Sequence, residues 1–279
     1  MQSTTDFLAA NRLNWDDRAA LHASDTTGSY RIEWVLGGGS SLNGIETSEL
    51  ETLFGGVADK DVVHLQCHIG LDTISLKHAG ARSATGLDFS PEAIRAARAF
   101  ARQAGTDVRF VESDVMEAAE ALGAQYDLVF VSWGAINWLA DIGAWGRVVA
   151  SLLRPGGRLY LLEGHPTMNQ LDWVEGERRL RFSWRTPLGA PLEWNETQTY
   201  TGDTRPIRNT RNYEWIHPLS DVVGAVLGAG LRLDFLHEHE RLVWQAFPDM
   251  VGEEGGEWRL PEDAVKLPLA FSLGATRTA

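Results

Sequence analysis

Between residues 61 and 166 the chain alternates between short apolar runs and longer stretches whose apolar positions recur with a helical period. VVHLQ (62–66), SATGLD (83–88), VRFVESD (108–114), YDLVFVSW (126–133) and RLYLLEGHP (158–166) read as strands. The continuously apolar ones are suited to burial on both faces of a sheet. DTISLKHAGA, SPEAIRAARAFARQAG, MEAAEALG and INWLADIGAWGRVVASLL read as helices, with RPGG a tight turn before the fifth strand. Ser90 followed by Pro91 marks a helix start: the hydroxyl takes an orphan N–H, and proline has none to lose. Gly80 and Gly105 mark helix ends. Strand–helix alternation predicts a parallel sheet, and right-handed crossovers then impose doubly wound topology.

Outside this stretch the rhythm changes. NRLNWDDRAALH has helical spacing, with Leu13, Ala20 and Leu21 as its apolar marks. GGGSSLNG is a turn, and TSELETLF a helix capped by Thr47 or Ser48. After Pro166, RLRFSW and EWNETQTYTG alternate as strands do and predict β-hairpins. LSDVVGAVLGAG reads as a helix capped by Ser220, LRLDFLHEHE as a sixth strand and KLPLAFSLGATR as a seventh. With no helix between the last two, the seventh is expected antiparallel. The expectation is a Rossmann-like, doubly wound seven-stranded α/β sheet with an antiparallel last strand. Its parts are an N-terminal helical cap (1–57), a core (58–167), a β-rich insertion or lid (168–216) and the rest of the core sheet (217–279).

Composition narrows the setting. The 279 residues are enough for one α/β domain with a cap. No apolar run approaches the ~20 residues that span a bilayer. The opening MQSTTDFLAANRLNWDDRAA lacks an apolar signal core, and the single cysteine fits a reducing compartment, so a cytoplasmic location is expected. A net charge of −13 disfavours nucleic acid as a partner. The arginines at 178, 179, 181, 185, 205, 208 and 211 read as a solvated face. Eleven tryptophans, Trp15, Trp133 and Trp138 among them, can both fill a core and wall a pocket for an organic molecule.

Ligands of doubly wound sheets bind beyond the carboxyl ends of the strands, at the switch point. That rule selects 66–72, 88–89, 113–115, 132–138 (from Ser132 onward) and 163–167. Asp88 ends the second strand about 20 residues past the first loop, the place of a carboxylate that takes ribose hydroxyls. Phe89 can stack on a base. Asp114 can accept from an adenine amine, with the Val115 N–H donating to a ring nitrogen. The first loop holds Gln66, Cys67, His68 and only one glycine, Gly70. A pyrophosphate needs bare backbone N–H groups, which side chains at 66 and 68 obstruct. A phosphate-free adenosyl ligand demands less, and a site that has lost its ligand is also compatible. Cys67 has no evident basic partner and reads as a small residue in a tight loop. The histidines of HEHE (237–240) share a strand face and read as a solvated strand end, and no metal is expected.

In this order and spacing, GLDFSPEAIRAAR, ESDV, YDLVFVSW, LLRPGGRLYLLE and the closing strand pair resemble class I S-adenosylmethionine-dependent methyltransferases, over more than half the chain. The first motif departs from the pattern. His64 stands at the acidic position, and Gln66, His68 and Gly70 at the three glycine positions. NRLNWDDRAALH resembles the N-terminal segment of bacterial small-molecule members, where a helix covers the site. The resemblance implies S-adenosylmethionine as cofactor, held by Gln66, Cys67, His68, Gly70, Asp88, Phe89, Asp114, Val115 and Ser132. It implies O-, N- or C-methylation of a small organic acceptor that meets Trp15, His22, Trp133, Asn137 and Trp138. His165 and His217 are the candidate bases. A non-catalytic S-adenosylmethionine-binding domain and a nicotinamide-dependent oxidoreductase are the alternatives, and a tryptophan-rich lid and arm are compatible with a homodimer.

Overall fold

The structure is a computed structural model. It describes residues 4–253 and 255–278. Its centre is a seven-stranded sheet of β1 (Asp61–Leu65), β2 (Ser83–Asp88), β3 (Arg109–Glu112), β4 (Tyr126–Ser132) and β5 (Leu153–Gly164), completed by β10 (Leu231–His239) and β14 (Ala270–Arg277). The spatial order is β10-β14-β5-β4-β1-β2-β3. β1 to β5 are parallel, and β14 runs antiparallel to both its neighbours, as expected from the missing crossover helix. Val63 pairs with Thr85 on one side and Val129 on the other, so the winding reverses between β1 and β4. That reversal opens the crevice at their carboxyl ends.

Each face is covered. α6 (Ala118–Leu122), α7 (Ile142–Leu152) and α8 (Leu219–Gly228) cover one side, with Trp145, Val149 and Val222 fully buried. The other side carries α3 (Gly44–Phe54), α4 (Leu71–His78) and α5 (Pro91–Gln103), which bury Leu50, Ile74, Ile94 and Ala97. Each fully buried large aliphatic or aromatic side chain contributes about 1.5–3 kcal/mol. α1 (Thr4–His22) lies against α5 and the lid, and the short α2 (Ile32–Leu36) against α4 and α5. β6 (Leu171–Val174) and β7 (Glu177–Leu180) form a hairpin. Its two-residue turn, Glu175–Gly176, has φ of 52° and 85°, matching the twist of the strands. β8 (Leu192–Asn195) pairs with β9 (Arg211–Glu214) around a long loop. β11 (Arg241–Leu242), β12 (Val251–Gly252) and β13 (Trp258–Arg259) form a small third sheet.

Several local expectations are corrected. Ser90 caps α5 by accepting the Ala93 N–H at 3.1 Å, as read from the sequence. α3, however, starts at Gly44, not after Thr47 or Ser48. Asn43 accepts the Glu46 N–H at 3.0 Å while Glu46 accepts the Asn43 N–H at 2.8 Å, and this reciprocal cap moves the start back. α8 has Pro218, not Ser220, at its cap position. The segment 136–153 is not one helix: a single 3₁₀ turn (Ile136–Trp138) precedes α7, which begins where Asp141 accepts the Ala144 N–H at 2.8 Å. HEHE is not a freely solvated strand end. The Glu49 carboxylate receives His237 Nδ1 at 2.7 Å, Ser272 Oγ at 2.8 Å and the Tyr160 hydroxyl at 2.9 Å, and His239 bonds Ser272.

Candidate functional site

The first loop leaves β1 in the conformation that glycines would give it. Gln66, His68 and Gly70 all have positive φ: 54°, 50° and 79°. At Gly70 no side chain fits, because a Cβ would lie 2.6 Å from the Phe110 ring and 2.7 Å from Ala97 Cβ. At Gln66 and His68 the left-handed backbone costs about 1–2 kcal/mol each, and both side chains are anchored. Gln66 Nε2 donates to the Ala135 carbonyl at 2.8 Å, across the crevice. His68 Nε2 lies 2.8 Å from His22 Nδ1, and the His68 ring meets Trp15 edge-on at 5.1 Å. Cys67 is buried, which holds its thiol pKa high and leaves it no nucleophile.

Asp88 is buried at the end of β2. It accepts the His68 N–H at 2.8 Å and the Ser90 N–H at 2.9 Å. Burial lifts its carboxyl to about 6, against these N–H groups. Two donors leave part of its roughly four acceptor positions free. Phe89 is half-exposed beside it. Asp114 caps the turn after β3 by accepting the Met116 N–H at 3.0 Å, and Val115 is buried in the core. Ser132 ends β4 and donates to Asp72 at 3.2 Å.

α1 closes the crevice from above. Trp15 meets Trp138 edge-on at 5.2 Å. His22 is hydrogen-bonded to Thr199 of the lid and lies 3.0 Å from the Tyr30 hydroxyl. Burial pushes the pKa of His22 down to about 2 and that of His68 to about 3, so both rings are neutral. Arg18 pairs with Glu196 of the lid. The structure therefore brings Gln66, His68, Asp88, Trp15, His22, Asn137 and Trp138 together.

Others stand apart. The Trp133 ring packs edge-on against Trp244 at 5.8 Å, on the α3 side. His217 Nε2 donates to the Leu139 carbonyl at 2.7 Å. His165 Nδ1 accepts the Thr167 N–H at 3.1 Å, and its Nε2 lies 3.0 Å from Glu238, toward β10. Both are held low in pKa chiefly by burial. Among the described residues no group of histidines, cysteines and carboxylates is arranged to hold a metal. A hollow of about 450 Å³ lined by Ala119, Gly123, Gln125, Ser151 and Arg154 lies at the opposite end of the sheet.

The sequence reading missed Glu163, although it selected the segment 163–167. At the end of β5, Glu163 accepts four N–H groups: Gly134 at 2.6 Å, Ala135 at 2.6 Å, Ile136 at 3.0 Å and Gly164 at 2.7 Å. It thus fixes the turn whose Ala135 carbonyl holds Gln66. Its signal was an acid closing a buried strand. Arg18, Tyr30, Thr199 and Tyr200 were also missed, because only the folded chain brings the lid to α1.

This sheet order is the fold of class I S-adenosylmethionine-dependent methyltransferases, and residues 63–159 match the methyltransferase domain family. Relatives agree. A ubiquinone biosynthesis O-methyltransferase from Methylobacterium sp. (strain 4-46) is 28% identical over 154 residues, 55% of this chain and 59% of the relative. One from Serratia proteamaculans is 31% identical over 106 residues, 38% of this chain and 43% of the relative. The chain spans about half the length of these curated relatives. An S-adenosylmethionine dependent methyltransferase structure from Mesorhizobium loti superposes with TM-score 0.53 at 18% identity, covering 79% of this chain and 92% of that one. One from Clostridium acetobutylicum has TM-score 0.53 at 12% identity, covering 82% and 88%.

Proposed function

We propose that this chain transfers a methyl group from S-adenosylmethionine to a small organic acceptor. The observation that carries the reading is a single contact at the switch point. The left-handed first loop turns its His68 N–H into Asp88, leaving the rest of that carboxylate for a sugar. In this reading Asp88 takes ribose hydroxyls, Phe89, Asp114 and the Val115 N–H take the base, and Gln66, Cys67, His68, Gly70 and Ser132 border the amino-acid tail. The Gln66 Oε1, buried without a partner, is available to the tail's ammonium. The cofactor supplies a methyl group already activated by the sulfonium.

The protein's share is alignment and exclusion of water, and orientation alone can contribute roughly 7–11 kcal/mol. α1 and the lid supply the exclusion, with Trp15, His22, Asn137 and Trp138 facing the acceptor. In this reading His165 and His217, each tied to the backbone through one ring nitrogen, serve as positioning residues. The single, buried thiol supports a cytoplasmic setting. No helix among the described residues is long and apolar enough to cross a membrane.

Calorimetry with S-adenosylmethionine and S-adenosylhomocysteine tests the reading. Both are expected to bind, and Asp88→Ala to weaken binding at least tenfold. Unchanged affinity in the variant would remove Asp88 from the site and the proposal with it.

A further inference from the structure

Between α1 and β9, which pack together, lies a group of polar side chains that the methyl donor's contacts do not use. Arg18 on α1 is buried and donates to Asn14 at 2.7 Å and to Glu196. Its charge is thereby matched. Glu214, on β9, has no ion pair among the described residues, and the Asn137 amide lies against it. Asn212 stands on the same face of β9, two residues before. It is fully buried and donates through Nδ2 to Glu196 at 3.1 Å, while its Oδ1 has no partner. Asn137 Oδ1 is likewise buried and unpartnered. Trp215 N–H donates to the Asn137 carbonyl at 2.7 Å, which ties β9 to the turn after β4.

Resting on the methyltransferase reading above, we propose that Glu214, with Asn137 and Asn212 beside it, receives a cationic amine on the methyl acceptor. Asn137 Oδ1 and Asn212 Oδ1 are acceptors left without a donor. Each buried acceptor without a partner costs about 1–3 kcal/mol, which a ligand's N–H recovers. An ammonium brings three donors and a charge; a neutral hydroxyl brings one donor. Trp138 follows Asn137 in the chain and meets Trp15 edge-on at 5.2 Å, and these rings suit an aromatic body or the cation itself. The electrostatics agree. Burial first, then Glu196 and Glu163, raise the Glu214 carboxyl to about 7, against Arg18 and Asn137. An incoming cation reverses this and drives a proton off.

The test uses the protein saturated with S-adenosylhomocysteine and two probes of one shape, 2-phenylethylamine and 2-phenylethanol. The amine is expected to bind at least tenfold tighter. Calorimetry in buffers of different ionisation enthalpy should show release of about half a proton at pH 7. Glu214→Gln should abolish both the preference and the proton release while leaving the S-adenosylhomocysteine affinity intact. Equal binding of the two probes, a preference that survives in Glu214→Gln, or amine binding without proton release in the unaltered protein would overturn the inference. A protein that binds S-adenosylhomocysteine but shows no amine preference loses this inference alone; one that does not bind it loses the methyltransferase reading too.

Discussion

Gln66 and His68 occupy backbone conformations that glycine adopts without cost, and each holds its place with a bond across the crevice, to Ala135 and to His22. Aligning these residues with glycine positions was possible from sequence, because strand, loop and helix lie at fixed spacing. What their side chains do was not, since both partners come from distant segments. Asp88 was legible for the same reason: it ends a strand. Its two N–H bonds and its burial were not. Burial makes it a titrating group, and the sign follows from the role proposed for it. A carboxylate that accepts ribose hydroxyls must be ionised, so protonation below its pKa of about 6 competes with the ligand. Affinity for S-adenosylhomocysteine should be level above pH 7 and fall as pH drops through 6, by up to tenfold per unit. An isothermal titration series from pH 5 to 8 measures this. Asp88→Asn should bind weakly with a flatter profile; a wild-type profile that stays flat would show that Asp88 does not meet the ligand.

Among the elements, α1 is the one whose periodicity misled. Leu13, Ala20 and Leu21 mark it as helical, yet Leu13 is 52% exposed and Ala20 is also exposed. The buried residues are Phe7, Asn11, Asn14, Arg18, Ala19 and His22. Apart from Phe7 and Ala19 they are polar, so a reading that looks for apolar stripes selects the wrong face. The polar ones work because each finds a partner on the lid. Asn11 both donates to the Tyr213 carbonyl at 2.8 Å and accepts the Tyr213 N–H at 2.7 Å, in the manner of a paired strand. Asn14 donates to the Asn209 carbonyl at 2.7 Å. Asn11→Ala removes both bonds to the Tyr213 backbone, at about 1–3 kcal/mol each. Because that loss concerns the seam between α1 and the lid, hydrogen exchange should rise in α1 and β9 and stay slow in β1, β4 and β5. Uniform loss of protection would mean that α1 is part of the global folding unit and no separable cover.

For the whole molecule, the architecture was legible because it rests on runs long enough to average out local error. Five strands alternate with helices, and a seventh strand follows the sixth with no crossover. The small sheets β6–β7 and β8–β9 were legible only as a tendency to alternate, and β11–β13 was not read at all, since these strands are two to four residues long and tertiary contacts decide them. The same global view separates the nucleotide ligands such a sheet could take. A dinucleotide would put a pyrophosphate against the first loop, where Gln66 is bonded over to Ala135 and His68 sits under Trp15 and His22. Freeing that space breaks the contacts that seat α1. In the proposed reading an adenosyl ligand without phosphates meets Asp88 and borders the first loop as it stands, so it binds with α1 in place and ties the sheet, first loop and cover together. A ligand selective for the folded state adds about 2.7 kcal/mol at a hundredfold excess over Kd. For a chain of this length that is about 5 °C in Tm. S-adenosylhomocysteine should produce this shift, and NAD at the same concentration none. A shift with NAD would return the oxidoreductase alternative to first place, because it would show that the loop can clear itself of side chains to admit phosphate.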